Sequence, residues 1–225
     1  MNEPAEILEA CGICRRAGGR ALLHDVSLAI VPGQRVAVVG PTGSGKSLLL
    51  RSLALLDPVD AGEIRFRGRP VAAADVPDFR RQVIYLHQRP ALIEGTVQEN
   101  LRRAMQLKVH QHRALDPDRA GQWLSQLGRD LSFLQQPTTD LSGGESQMVA
   151  LLRAVQLDPV VLLLDEPTAA LDADSVRAVE QLVAAWYDEQ RDARSLVWVS
   201  HDPRQVERVA DRVLRMEQGK LHERA

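Results

Sequence analysis

The chain has 225 residues, with 28 Lys+Arg against 30 Asp+Glu, a formal net charge of −2 and an apolar fraction of 44%. That length suggests one domain with a real core. The charge balance excludes both a broad basic surface for nucleic acid and a long acidic tail. Aromatics make up only 4%, so a site needing a stacking ring has few to draw on. The acidic N-terminus lacks the basic and apolar regions of a signal peptide. The longest apolar run, Val160–Leu164, is far short of the roughly 18 residues of a membrane span. A cytosolic chain is expected.

In chain order, residues 7–31 alternate apolar and polar and break at Gly18-Gly19, which predicts strands joined by a turn. Cys11 and Cys14 fall in that stretch. No second cysteine pair completes a zinc site, and glycines follow where a redox motif would open a helix, so they read as half-buried thiols. After the turn Val31-Pro32-Gly33-Gln34 comes a buried strand, Arg35–Val39. A glycine-rich loop and a helix over Ser47–Leu56 follow, ended by Asp57-Pro58. Strands are expected at Glu63–Gly68 and Val83–Leu86. A helical stretch runs from Thr96 to Phe133 and breaks at Asp116-Pro117. A further helix spans Ser146–Leu157, then strand Val160–Leu164, helix Ser175–Gln190 and strand Leu196–Val199. This alternation argues for an α/β fold: a mostly parallel sheet with crossover helices, a helical insertion and some antiparallel strands.

Gly40-Pro41-Thr42-Gly43-Ser44-Gly45-Lys46-Ser47 matches G-x-x-x-x-G-K-[ST] between a strand and a helix, with Leu48 continuing the run. Glycines let backbone N–H groups converge on phosphate oxygens, and the helix N-terminus adds positive potential. Lys46 would reach the β- and γ-phosphates, and the Ser47 hydroxyl could ligate Mg²⁺. Asp165-Glu166 closes an apolar strand at the end where ligands sit in such sheets. Asp165 would hold Mg²⁺, and Glu166 could polarise a water for in-line attack. That second acid favours an ATPase over a GTPase or kinase. Leu141-Ser142-Gly143-Gly144-Glu145 opens another helix and forms a second anion-binding end, which two copies of the chain could offer to each other.

In these motifs the sequence resembles the ATP-binding-cassette (ABC) family. GPTGSGKS resembles its Walker A motif, VVLLLDE its Walker B and LSGGE its signature. Gln88 resembles the Q-loop glutamine that senses Mg²⁺ and the lytic water. Asp172 resembles the D-loop aspartate facing the partner copy, and His201 the switch histidine at the γ-phosphate. The resemblance covers essentially the whole chain. It implies one ABC ATPase domain with a P-loop NTPase core. An antiparallel β-subdomain would take about residues 1–35 and 60–70, and a helical signature subdomain about 89–145. It also implies a homodimer with ATP sandwiched between Walker A of one copy and Ser142, Gly143 and Gly144 of the other. The dimer would be attached to the inner (plasma) membrane through a separate permease, with no nucleic-acid partner.

Three departures stand out. The family's adenine-stacking aromatic should fall near Arg15, but Cys14-Arg15-Arg16-Ala17 holds no ring. A guanidinium can stack on a base, so Arg15, or less favourably Arg16, is expected over the adenine. Where many relatives carry basic residues after the signature glycines, this chain has Glu145-Ser146-Gln147-Met148, which removes positive charge from the helix start. The segment Leu92–Leu101 resembles the exporter form, yet the charged loop of large exporters is not evident at Gln136–Asp140. The overall layout resembles a small two-component bacterial group described as iron exporters. Alternatives are an importer, a lipid- or lipoprotein-handling cassette, or a non-transport cassette. His110-Gln111-His112 reads as a polar loop tract.

Overall fold

A computed structural model describes residues 6–110 and 114–223. Among these, the strands are β1 Leu8–Ala17, β2 Arg20–Ile30, β3 Arg35–Val39, β4 Ala61–Phe66, β5 Arg69–Pro70, β6 Val83–Leu86, β7 Val161–Asp165, β8 Ser195–Val199, β9 Arg212–Glu217 and β10 Lys220–Glu223. The helices are α1 Lys46–Leu53, α2 Val76–Gln82, α3 Val97–Met105, α4 Pro117–Gln126, α5 Gly143–Val155, α6 Ala173–Asp188 and α7 Pro203–Val209.

Four strands form one sheet in the order β2-β1-β4-β5, antiparallel throughout. Its first hairpin turns at Gly18 and Gly19, with φ 56° and 76°, the two positive values that a tight hairpin turn requires. The other sheet runs β10-β9-β3-β8-β7-β6. β3, β7, β8 and β9 pair in parallel, and β10 returns antiparallel to β9. β7 and β8 are buried along their whole length, as strands covered on both faces must be. Trp198, fully buried in β8, donates its Nε1–H to Oε1 of Gln205 at 3.3 Å.

The chain divides into two compact units. The first comprises residues up to Tyr85, Val160–Glu166 and the chain from Gln190 onward; the second comprises Leu86–Pro159 and Pro167–Glu189. In the first, Leu28, Ile30 and Ile64 of the antiparallel sheet share one core with Val36, Val38, Leu49 and Leu163. In the second, α3 and α6 pack on α5, and α4 packs on α6. Among the described residues no helix is long and apolar enough to cross a membrane.

Several boundaries differ from the sequence reading for local reasons. α1 stops at Leu53, before Asp57-Pro58. Leu55 takes a left-handed φ of 54°, Leu56 N–H bonds Arg51 C=O, and Leu55 N–H bonds Ser52 C=O. That is a Schellman ending, built here without glycine. Asp116-Pro117 starts a helix rather than breaking one: the Asp116 carboxylate accepts from the backbone N–H groups of Asp118 and Arg119. α7, β9 and β10 were not anticipated. The His110–His112 tract lies partly outside the described residues.

Candidate nucleotide site

β3 ends at Val39 and α1 begins at Lys46, so Gly40–Gly45 form the connecting loop. Gly40 has φ 147°, and a Cβ there would drive into the Met216 carbonyl. Only glycine fits this spot. Gly45 caps α1 at φ 110°. The loop is tied to the final hairpin, since Gly219 N–H donates to Ser44 C=O at 3.0 Å. The Ser44 hydroxyl is buried with no hydrogen-bond partner.

Lys46 is 5% exposed. Its ammonium donates to the carbonyls of Gly40 at 2.8 Å and Pro41 at 3.0 Å. Burial lowers its pKa, while the carboxylates of Glu166 and Asp165 act in the opposite sense. Ser47, the next residue, is exposed. A loop and helix start of this kind can cradle a phosphate chain.

Asp165 closes β7 at 2% exposure. Its Oδ2 accepts from the Tyr85 hydroxyl at 2.8 Å, while Oδ1 is buried without a hydrogen-bond partner. Burial, then the charge and hydrogen bond of Asp165, raise the Tyr85 pKa far above the usual phenol range, so the hydroxyl keeps its proton. Glu166 follows in a left-handed backbone conformation, φ 47°, uncommon outside glycine. Its Oε1 lies 2.7 Å from Nε2 of His201. His201 comes directly after Ser200, whose hydroxyl accepts from Asp202 N–H at 3.0 Å. A cleft of about 360 Å³ is lined by Val39, Gly40, Pro41, Ser200, His201, Pro203 and Arg215. The first unit thus holds the phosphate loop, both acids and the histidine.

Arg15 is also in this unit, on β1. Its Nη1 contacts both Asp60 oxygens at 3.1 and 3.3 Å, and the Arg16 backbone N–H also donates to Asp60. Cys11 and Cys14 are half-buried free thiols on the same strand.

Gln88, Ser142, Gly143, Gly144 and Asp172 belong to the second unit. Ser142 caps α5: its hydroxyl accepts from Glu145 N–H at 3.2 Å, and Glu145 Oε2 accepts from Ser142 N–H at 2.9 Å. This reciprocal capping box starts the helix at Gly143, three residues ahead of expectation. The Ser142 backbone N–H, and after it the Ser142 hydroxyl and Arg129, hold the Glu145 pKa below its ordinary value. Arg129 Nη2 lies 3.0 Å from Glu145 Oε1, so a cation does stand at this helix start, supplied from elsewhere in the chain. Met148 is 2% exposed and belongs to the core. A Cβ on Gly144 would come within 2.8 Å of Leu171 Cδ2, so α5 and the 170–172 segment approach through glycine. Asp172 caps α6, accepting from Asp174 N–H and Ser175 N–H at 3.0 Å. Within Leu92–Leu101, Thr96 and Glu99 form the capping box of α3. Asn100, 1% exposed, bonds the N–H and C=O of Ile93.

Sequence reasoning missed Tyr85, Gly219 and Arg129. Each acts on a partner distant in sequence, and no local pattern marks it.

Fold and site together define a P-loop nucleotide-binding domain. Comparison with known proteins places it further: the ABC transporter family model matches residues 23–169, and the chain belongs to that family as an ATP-binding cassette. It is 39% identical over 222 residues to the sulfate/thiosulfate import ATP-binding protein CysA of Bordetella parapertussis, covering 96% of this chain and 61% of that protein. It is 37% identical over 205 residues to ABC transporter I family member 17 of Arabidopsis thaliana, covering 91% and 76%. The chain spans about three fifths of the length of several such relatives. Among solved structures, the ATP-binding cassette MJ0796, a dimer in a post-hydrolysis state bound to ADP and Pi, superposes with a TM-score of 0.82. It is 27% identical, with 97% of this chain and 100% of that chain covered.

Proposed function

We propose that this cassette hydrolyses ATP as one of two copies and powers a separate integral membrane permease, to which it is attached peripherally on the cytoplasmic side of the membrane. The 2.7 Å contact between Glu166 Oε1 and His201 Nε2 carries the reading. It unites an acid fit to take a proton from water with a histidine fit to meet the γ-phosphate. Lys46 and the backbone N–H groups of Gly40 and Thr42–Leu48 bind the phosphates. Ser142, Gly143, Gly144 and Asp172 face the partner copy's nucleotide. No nucleic acid takes part.

Ser47, Asp165 and Gln88 would hold Mg²⁺. The buried, unpartnered Oδ1 of Asp165 and the exposed hydroxyl-bearing Ser47 fit an oxygen-liganded hard cation. When bound, Mg²⁺ neutralises charge on the β- and γ-phosphates. Glu166 then orients the lytic water and accepts its proton. Arg15, held by Asp60, lies over the adenine, where a planar guanidinium serves in place of a ring.

Export of a metal such as iron is the first reading of direction and cargo, from the resemblance of Leu92–Leu101 and the overall layout to exporters. Import is the second, favoured by the 39% identity to an import ATP-binding protein. Affinity purification from membranes tests the assignment. Recovery of a polytopic membrane protein supports transport and its identity fixes the cargo class, whereas recovery of ribosomes or DNA sinks the proposal.

A further inference from the structure

Tyr85 stands on β6, the strand next to β7 in the sheet, and its hydroxyl donates to Oδ2 of Asp165 at 2.8 Å. Phenylalanine would fill the same space, so packing does not account for the hydroxyl. It answers one lone-pair set of a carboxylate that is 2% exposed. The other oxygen, Oδ1, is buried with no hydrogen bond, an uncommon arrangement in a folded protein that leaves this atom to meet a cation or its water. A carboxylate at a strand end rotates freely about its last torsion unless a fixed donor selects one orientation. Tyr85 is itself half-buried.

We propose that Tyr85 is a positioning residue for the divalent cation. Its hydroxyl occupies one oxygen of Asp165 and so reserves the other for the cation or its water shell. The proposal rests on the Mg²⁺-dependent reading of the site and adds a residue to it. Donors one step behind a ligand orient it, and their loss typically weakens metal binding 10- to 100-fold.

Tyr85→Phe removes one oxygen and nothing else. Affinity for a non-hydrolysable ATP analogue is measured by calorimetry in EDTA and in Mn²⁺, with Mn²⁺ electron paramagnetic resonance on the same samples. The variant should bind the analogue in EDTA within twofold of wild type. The gain in affinity that Mn²⁺ confers should fall about tenfold. In steady-state assays the half-saturating Mg²⁺ concentration should rise by a similar factor, with most of kcat recovered at high Mg²⁺. An unchanged Mn²⁺ gain overturns the role of Tyr85 alone. An equal loss in EDTA and Mn²⁺ makes the hydroxyl merely structural and also overturns it. If wild type shows no Mn²⁺ gain, the cation reading of the site falls, and this role with it.

Discussion

Glu166 Oε1 and His201 Nε2 meet at 2.7 Å although 34 residues of sequence separate them, because β7 and β8 are parallel neighbours that end side by side. The left-handed turn at Glu166, φ 47°, takes the chain off the strand directly after Asp165. Two acids adjacent in sequence therefore have different partners: Asp165 meets Tyr85, and Glu166 meets the histidine.

Glu166→Gln should retain ATP binding and lower steady-state phosphate release at least about 100-fold, the usual worth of a positioned general base. His201→Ala should lower kcat strongly while leaving ATP affinity within a few fold. Equilibrium ATP binding measured beside phosphate release checks both. Native turnover in Glu166→Gln would remove this residue as the base.

Arg15→Ala should weaken ATP binding by about three- to tenfold, the range for a stacked cation, and leave inorganic triphosphate binding unchanged. Asp60→Asn, which loosens the guanidinium without removing it, should produce a smaller effect of the same kind. Competition binding with the two ligands separates base from phosphate recognition. Equal losses for both ligands would mean that Arg15 acts on the fold and not on the adenine.

Gly40→Ala places a methyl group against the Met216 carbonyl in a backbone region that side chains disfavour. It should cost about 2 kcal/mol or more, a fall of about 4–8 °C in Tm for a chain of this size, and abolish nucleotide binding. Thermal melts with and without ATP measure both. Gly43→Ala is the informative contrast, since nothing lies within 4 Å of the added Cβ although its φ is 78°. It should retain more stability.

Ser142→Ala removes the α5 cap and should cost about 1 kcal/mol. The Glu145 side of the capping box depends on pH in a defined sense. Its folded pKa is depressed, so its contribution is complete above the unfolded carboxylate value. The contribution is lost as pH falls through the lower, folded value. The stability gap between wild type and Glu145→Gln should therefore be widest near neutral pH and close in acid. Denaturant melts across that range test it. A gap independent of pH would show that the Glu145 charge contributes nothing.

The sequence exposes what is local. The phosphate loop, the acids after an apolar strand and the signature serine are each short patterns whose chemistry follows from spacing, and the structure builds the first two into one unit. The Thr96–Glu99 and Ser142–Glu145 boxes are legible in the same way, once S/T-x-x-E is taken as a helix start. What escaped has partners far along the chain. Tyr85 finds its meaning 80 residues away in Asp165, and Arg129 finds Glu145 across a loop. The β9–β10 hairpin buttresses the phosphate loop through Gly219 and Ser44, although Arg212–Glu217 carries charges at several positions and does not read as an inner strand. Leu55 ends α1 in a conformation for which no residue-type signal exists.

The three tryptophans divide unevenly between the two units. Trp123 and Trp186 belong to the second unit, and Trp198 alone belongs to the first. Trp198 lies fully buried on β8, three residues before His201. A Trp123→Phe, Trp186→Phe chain would carry a single indole, in the unit that holds the phosphate loop. Because that indole is fully buried, its intrinsic fluorescence would report the unfolding of this unit separately from the rest of the chain, without a dye.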